Sequence, residues 1–384
     1  MTLHQRPEGV PYWRLSALYF LYFITVGIFL PYWPLYLESI GLDARQIGIL
    51  AAIIVITKIF AAYFWGWVTD RTARRMRVIR TASLLSAVTF AVVLPVQDFL
   101  ALAVILLLFS FFWSASLPQI EAATLSHLGD AALAYPGIRL WGSIGFIIAV
   151  WSLGLVFEFT SISRVPLLIL VSLVVVWLAS LAIPRETPEQ HAGNVAGLKY
   201  ILASREVMAF FVICFLMLAS HGPYYTFYSI YLEDHGYSKS ITGEMWALGV
   251  IAEVLIFLNM RRLFSIFRLK TLLMSSLALA TMRWLLIGLL VENMAWLIFA
   301  QVLHSATYGL YHAVAIQYVH KFFKGRLQGR GQALYSSASF GAGMAAGSLF
   351  SGFIWDSAGA EVCFTTAAGL SLLACIIAWR RIRT

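Results

Sequence analysis

Twelve apolar stretches, near residues 13–37, 45–69, 78–96, 99–123, 135–158, 164–183, 207–232, 241–262, 270–291, 294–318, 330–354 and 361–380, each have the length to cross a lipid bilayer. A crossing takes about 20 mostly apolar residues, and inside the hydrocarbon every backbone N–H and C=O has to be satisfied within the segment. Each pass is therefore a helix, and the chain reads as an all-α membrane protein with twelve transmembrane helices. Only 12% of the residues are charged and 61% are hydrophobic, against about 25% charged in a soluble domain. The first run begins near Trp13 with no small-residue cleavage site before it, so it is expected to remain as the first helix.

Most connections are too short to hold a soluble domain. The longest, 184–205, is polar and carries two prolines and two glycines. It divides the chain into an N-terminal six-helix bundle at 1–183, a cytoplasmic linker at 184–205 and a C-terminal six-helix bundle at 206–384. Assigning connections alternately to the two sides puts 21 of the 27 Lys and Arg on the side of the N-terminus. Three (Arg45, Arg164, Lys239) fall on the other side and three (Lys58, Arg139, Arg283) lie within helices. The positive-inside rule then places both termini in the cytoplasm. Cations spread in this way are orientation signals, and no nucleic-acid partner is expected. Cys214, Cys363 and Cys375 show no CxxC spacing, so neither a zinc site nor a disulfide framework is indicated.

The two halves repeat one another. Shifting by 195 lays Gly27 on Gly222, Tyr36-Leu37-Glu38 on Tyr231-Leu232-Glu233, Gly41 on Gly236 and Gly48 on Gly243. Six crossings per half give both halves the same orientation, the parallel repeat that secondary transporters rock around a midplane site.

Charges inside apolar helices point to the pathway. Glu121 closes the fourth run and Arg139 opens the fifth; such groups cost about 2.5–3.5 kcal/mol on insertion and persist mainly when paired or facing water. The alternative is that both sit at headgroup level, where Arg snorkels. Lys58, deep in the second run, is too far from either end to snorkel and is expected to face a cavity; its repeat equivalent is Glu253. His304 and His312 on an ideal helix stand about 12 Å apart and about 80° out of phase, so they cannot share a metal ion, and titration or hydrogen bonding suits them better. His221, next to the Gly222-Pro223 interruption, suits packing or a cavity equally. The loop from Gly325 to Gly331 lacks the GK[ST] of a phosphate-binding loop. No cofactor or metal is expected, and the proton gradient is the expected energy source. Gly343, Gly347 and Ser351, four apart, read as a face for close helix packing.

The stretch Gly66-Trp-Val-Thr-Asp70-Arg71-Thr-Ala-Arg74-Arg75 resembles the major facilitator signature G-x-x-x-D-R-x-G-R-R/K, departing from it at Ala73, where the family usually has Gly. The resemblance implies the major facilitator fold and a charge latch at Gly66, Asp70, Arg71, Arg74 and Arg75 that forms in one state and breaks in another. Within that superfamily the whole chain resembles the lactose permease branch, and within it the bacterial 3-phenylpropionate transporters. Glu121-Ala122 followed by Arg139-Leu-Trp-Gly142 is similar to the acid and arginine of the sugar site. Glu253, Arg283 and His304 match the proton pathway. Arg139-Leu-Trp-Gly-Ser143, His221-Gly-Pro-Tyr224-Tyr225, Gly249-Val-Ile-Ala-Glu253-Val and the His304–His312 spacing are similar to the phenylpropionate branch. The resemblance implies substrate contacts at Glu121, Arg139, Phe146, His221, Tyr224 and Tyr225, joined by Lys58, and proton coupling at Glu253, Arg283, His304 and His312. Three departures argue against a galactoside: Thr307 stands where lactose permease has a carboxylate, Phe146 where it has a stacking tryptophan, and Lys58 is an added cation.

Asparagines are confined to 194, 259 and 293, none deep in a helix, whereas aromatic residues crowd the runs expected to line the pathway. Aromatic walls with one or two cations suit a small aromatic or apolar carboxylate. Its entry against an inside-negative potential costs about 2.3 kcal/mol per 100 mV, so a proton is expected to accompany it. The expectation is thus a proton-coupled importer, acting as a monomer in a bacterial inner membrane. A porter of an oligosaccharide, nucleoside or drug, or a membrane sensor that does not translocate, are the alternatives.

Overall fold

The computed structural model describes residues 10–184 and 201–383, so most of the expected linker lies outside the described residues. These form twelve helical passes. The first six are α1 (Tyr12–Ser39), α2 (Ala44–Thr72), α3 (Arg75–Ala91), α4 (Phe99–Leu128), α5 (Tyr135–Phe159) and α6 (Val165–Leu181). The seventh pass is broken at His221 into α7 (Arg205–Ser220) and α8 (Gly222–Asp234), followed by α9 (Lys239–Ile266) and α10 (Leu269–Leu289). The tenth consists of α11 (Met294–Val302), a π-helical turn at Ser305–Leu310 and α12 (Tyr311–Phe322). The eleventh consists of α13 (Gln328–Ser336), a π-helical stretch at Ser337–Gly343 and α14 (Met344–Ala358), and α15 (Ala360–Arg381) is the last. Among the described residues nine passes are long and apolar enough to cross a membrane. The other three passes are α3, with 17 residues, and the two interrupted by π turns.

Local chemistry sets the helix starts. The Asp98 carboxylate accepts from Ala101 N at 2.9 Å to cap α4, and Asn293 Oδ1 accepts from Ala295 N at 3.0 Å to cap α11. Pro136, Pro166 and Pro223 occupy the first turns of α5, α6 and α8, where a missing N–H costs nothing.

The chain divides into two compact units. Among the described residues, one holds those up to 40 and 57–184, and the other holds 41–56 and 201–383. The first half of α2 thus packs with the helices of the second unit. The physical reason is a glycine-to-glycine crossing: a Cβ on Gly352 would lie 2.7 Å from Ala44 O and 3.0 Å from Gly48 Cα, so only hydrogen at both positions permits the approach. Asp356 then caps α2 from a neighbouring helix, its Oδ2 accepting from Ala44 N at 3.1 Å.

Helix pairings recur inside each unit. In the N-terminal unit α1 packs on α5 and α6, and α3 on α4 and α6. In the other unit α7 packs on the π stretch of the eleventh pass and on α15, and α10 packs on the tenth pass and on α15. Even a terminal cap repeats. Arg80 on α3 donates to Ile183 O, just past α6, at 2.8 Å, and Lys270 on α10 donates to Trp379 O in the last turn of α15 at 3.0 Å. Both cations meet the negative end of a helix dipole. The expected small-residue face also packs closely: a Cβ on Gly347 would lie 2.9 Å from Ala219 Cα, and one on Gly343 2.6 Å from Phe215 O.

Candidate functional site

In the N-terminal unit Arg139 projects from the first turns of α5 toward α1. Its guanidinium lies 4.1 Å from the Phe23 ring centroid and 5.9 Å from that of Tyr19. Gly142 makes room for this stack, because a Cβ there would come within 2.7 Å of Phe23 Cδ2 and 2.8 Å of Arg139 Nη1. Beside Phe23 stands Tyr22, stacked face to face with Trp113 at 4.4 Å and 2°. Glu121 shares this neighbourhood with Tyr22, Tyr135 and Arg139. Of the two states open to these charges, paired or facing water, the direct pair is not formed: none of the ion pairs within 4.0 Å among the described residues joins Glu121 to Arg139. Arg139 takes an aromatic face instead, a contact worth about 0.5–2 kcal/mol.

Lys58 lies midway along the 29-residue α2, its side chain exposed and without an ion pair among the described residues. Phe146 is buried against α1, where a Cβ on Gly27 would lie 3.0 Å from its carbonyl oxygen.

The C-terminal unit carries a denser polar cluster. Arg283 on α10 is completely buried; its Nε donates to Ala300 O at 3.0 Å, Nη1 to Thr307 Oγ1 at 3.3 Å and Nη2 to Gln301 Oε1 at 3.4 Å. Tyr224 also donates to Gln301 Oε1 at 3.0 Å, while Gln301 Nε2 donates to Tyr228 Oη at 2.5 Å. The rings of Tyr224 and Trp284 lie 4.2 Å and 4.6 Å from the guanidinium. Glu253 on α9 reaches His304 Nε2 at 3.8 Å, and Gly309 admits it, since a Cβ there would lie 2.9 Å from Glu253 Cγ. His221 Nδ1 faces its own helix at Met217 O, 2.8 Å away, and its ring meets Trp284 edge-on at 4.8 Å; Tyr225 stacks beside it at 6.1 Å.

His304 and His312 are not out of phase as an ideal helix requires. Tyr308 stacks on His304 at 5.3 Å and 11° and on His312 at 6.5 Å and 15°, forming a ladder of three rings. The π turn causes this, because an i→i+5 bond takes more residues per turn than an α-helix and brings every fourth side chain into line; such turns frequently mark functional sites. His312 Nδ1 pairs with Tyr335 Oη at 3.0 Å. Sequence reading passed over Gln301, Tyr228, Trp246 and Trp284. A count of asparagines does not register the buried glutamine in the Met294–Val302 helix, the one signal available for it.

At the expected latch Asp70, Arg71 and Arg74 are exposed, and Arg71 lies 5.6 Å from the Trp67 ring. No ion pair among the described residues involves Asp70. Ala73 has φ of 50°, the one positive value at a non-glycine position among the described residues. Its backbone therefore adopts the conformation that glycine in the signature favours.

Twelve apolar passes in two repeated units, with cations and acids inside the passes, are the build of a multi-pass membrane transporter with the major facilitator fold rather than of an enzyme. The sequence model of the MFS_1 like family matches residues 12–366, and the chain belongs to that family. It is 29% identical over 357 residues to a protein of Escherichia coli (strain K12) named "Probable 3-phenylpropionic acid transporter", covering 92% of this chain and 93% of the other. It is 23% identical over 376 residues to the maltose permease of Geobacillus stearothermophilus, covering 95% and 94%. The crystal structure of the nucleoside transporter NupG is similar in fold, with a TM-score of 0.85 at 20% identity, covering 96% of this chain and 98% of that one.

Proposed function

We propose that this transporter is a proton-coupled importer of a small aromatic monocarboxylate, working as a monomer in the bacterial inner membrane with both termini in the cytoplasm. The observation that carries the reading is Arg139 held against Phe23 at 4.1 Å beside the Tyr22–Trp113 stack. A guanidinium that already prefers aromatic faces offers its donors to a carboxylate while the rings receive the apolar body. The name carried by the Escherichia coli relative supports the same substrate class. Lys58, exposed within α2, supplies a second cation.

Glu253 is the proposed proton carrier, with His304 its competitor, because Thr307 lacks the carboxylate that would otherwise serve. The test uses liposomes containing purified protein and radiolabelled 3-phenylpropionate. An inward pH gradient is expected to drive accumulation, and Glu253→Gln is expected to keep exchange while losing accumulation. Accumulation that persists in Glu253→Gln and disappears in His304→Gln moves the proton to the histidine. A second reading, a nucleoside porter, draws on the neutral hydrogen-bonding groups around Gln301 and on the likeness to NupG. Uridine counterflow without phenylpropionate uptake would select it.

A further inference from the structure

The C-terminal unit holds a positive charge that its own side chains leave uncompensated. Arg283 is 0% exposed, and its three hydrogen-bond acceptors, Ala300 O, Thr307 Oγ1 and Gln301 Oε1, are all neutral. No ion pair among the described residues reaches it within 4.0 Å. A guanidinium has five N–H donors, so about two remain, the number a bidentate carboxylate takes. Rings over its faces attract the cation but carry no counter-charge. A buried charge without an opposite partner is costly, and that cost is relieved when an anion arrives.

Two further polar atoms belong to this cluster. His221 Nε2 and His304 Nδ1 are buried without a hydrogen-bond partner, on side chains 0% and 4% exposed. Each ring's other nitrogen faces a different group: His221 Nδ1 pairs with Met217 O at 2.8 Å, and His304 Nε2 faces Glu253 at 3.8 Å. The unpartnered edges therefore turn away from those partners, on rings that pack 4.8 Å from Trp284 and 5.7 Å from Tyr224, the two residues that cover Arg283. Glu253, the acid of this cluster, is engaged with His304.

We propose that Arg283, His221 and His304 form an anion-binding site within the C-terminal unit, separate from the Arg139 site. It takes a monovalent anion, either the carboxylate of a transported substrate or a free inorganic anion such as chloride. Gln301 is the positioning residue. It occupies the place from which an internal carboxylate would neutralise Arg283, and its amide is held in register by Tyr224 and Tyr228. The site stands independently of the substrate reading above.

The test is an anion titration of the purified full-length protein, with methanesulfonate as the balancing anion, read by melting temperature and calorimetry. The probes are sodium chloride and sodium 3-phenylpropionate. Wild type is expected to respond saturably to at least one. Gln301→Glu, which supplies a carboxylate at the same length, is expected to melt no lower than wild type and to lose at least tenfold in affinity. Arg283→Met should lose the response entirely, and Gln301→Glu keeps the proposal testable if that variant does not fold. With chloride as the probe, Arg139→Ala separates the sites by leaving the response in place. A response to chloride that phenylpropionate competes away identifies one shared anion site, and a response to phenylpropionate alone identifies the substrate carboxylate. No saturable response to either probe overturns the proposal, as does a response undiminished in Gln301→Glu or a chloride response abolished in Arg139→Ala. Failure of the importer reading is seen separately, as liposomes that accumulate no phenylpropionate while the anion response persists.

Discussion

Replacing Gly352 by alanine tests how the first half of α2 is held. The added Cβ would lie 2.7 Å from Ala44 O, 3.0 Å from Gly48 Cα and 3.4 Å from Arg45 Cα, all backbone atoms that cannot swing aside. Carbon–carbon contacts are optimal at about 3.5–4.0 Å, so α2 and α14 must separate by roughly half an ångström or more. Overpacking of this kind costs about 1–3 kcal/mol, which at about 1.4 kcal/mol per tenfold shifts the attachment equilibrium by roughly 5- to 150-fold. Separation also strains the Ala44 N to Asp356 Oδ2 bond at 3.1 Å and the Arg45 guanidinium over Phe353 at 4.7 Å. The assay is the alkylation rate of a cysteine placed at Ala44, which is buried in the parent. Cys214 and Cys363 are buried and Cys375 is replaced by serine to remove background. The Gly352→Ala background is expected to raise the rate at least fivefold, and Asp356→Ala to raise it less, because a lost cap costs about 0.5–2 kcal/mol. Gly369→Ala is the control, since nothing lies within 4 Å of its added Cβ. An alkylation rate in Gly352→Ala equal to that of Gly369→Ala would refute the crossing as the clamp on α2.

Ala73→Gly is expected to stabilise the protein by about 1 kcal/mol, since a left-handed conformation costs an L-residue about 1–2 kcal/mol and glycine almost nothing; a melting temperature unchanged or lowered counts against strain at this turn. Lys58→Ala and Arg139→Ala are each expected to weaken 3-phenylpropionate binding at least tenfold in calorimetry, with folded protein retained. Arg139→Lys is expected not to rescue, because the flat fork that stacks on Phe23 is lost, and full affinity in both alanine variants contradicts the proposed contacts. Gly347→Leu is expected to abolish stable expression, its first carbon already 2.9 Å from Ala219 Cα; a normally melting variant excludes that close crossing.

What the sequence made legible was whatever is written in period and charge. Apolar length located the twelve passes to within a few residues, and spacing by four located the Gly343–Gly347 face, because both depend on local geometry alone. The packing partner of the first half of α2 was not legible, since Gly48 reveals nothing of it until Gly352 is brought opposite through a separation of more than three hundred residues. Ala73 was legible as a departure from a pattern, but its meaning as a strained turn needed the backbone angle.

The same division explains the polar cluster. Arg283, His304 and Glu253 announce themselves because a charge in an apolar run demands a reason. Gln301 does not, since an amide costs less to bury and looks like one more tolerated polar residue. Yet it contacts Arg283, Tyr224 and Tyr228 together, and its neutrality is what leaves the guanidinium without a counter-ion. The His304–Tyr308–His312 ladder was hidden for a different reason: the phase of side chains along a helix is predictable only while the helix stays α, and the π turn at Ser305–Leu310 resets it. A resemblance to relatives transfers residue identities but not the register in which those residues meet. In this chain the neutral partner and the altered register both fall on the tenth pass, where Thr307 carries no charge and accepts from Arg283 at 3.3 Å. A threonine at that position and a glutamine six residues earlier therefore act in the same direction, each leaving the arginine open to an anion from outside.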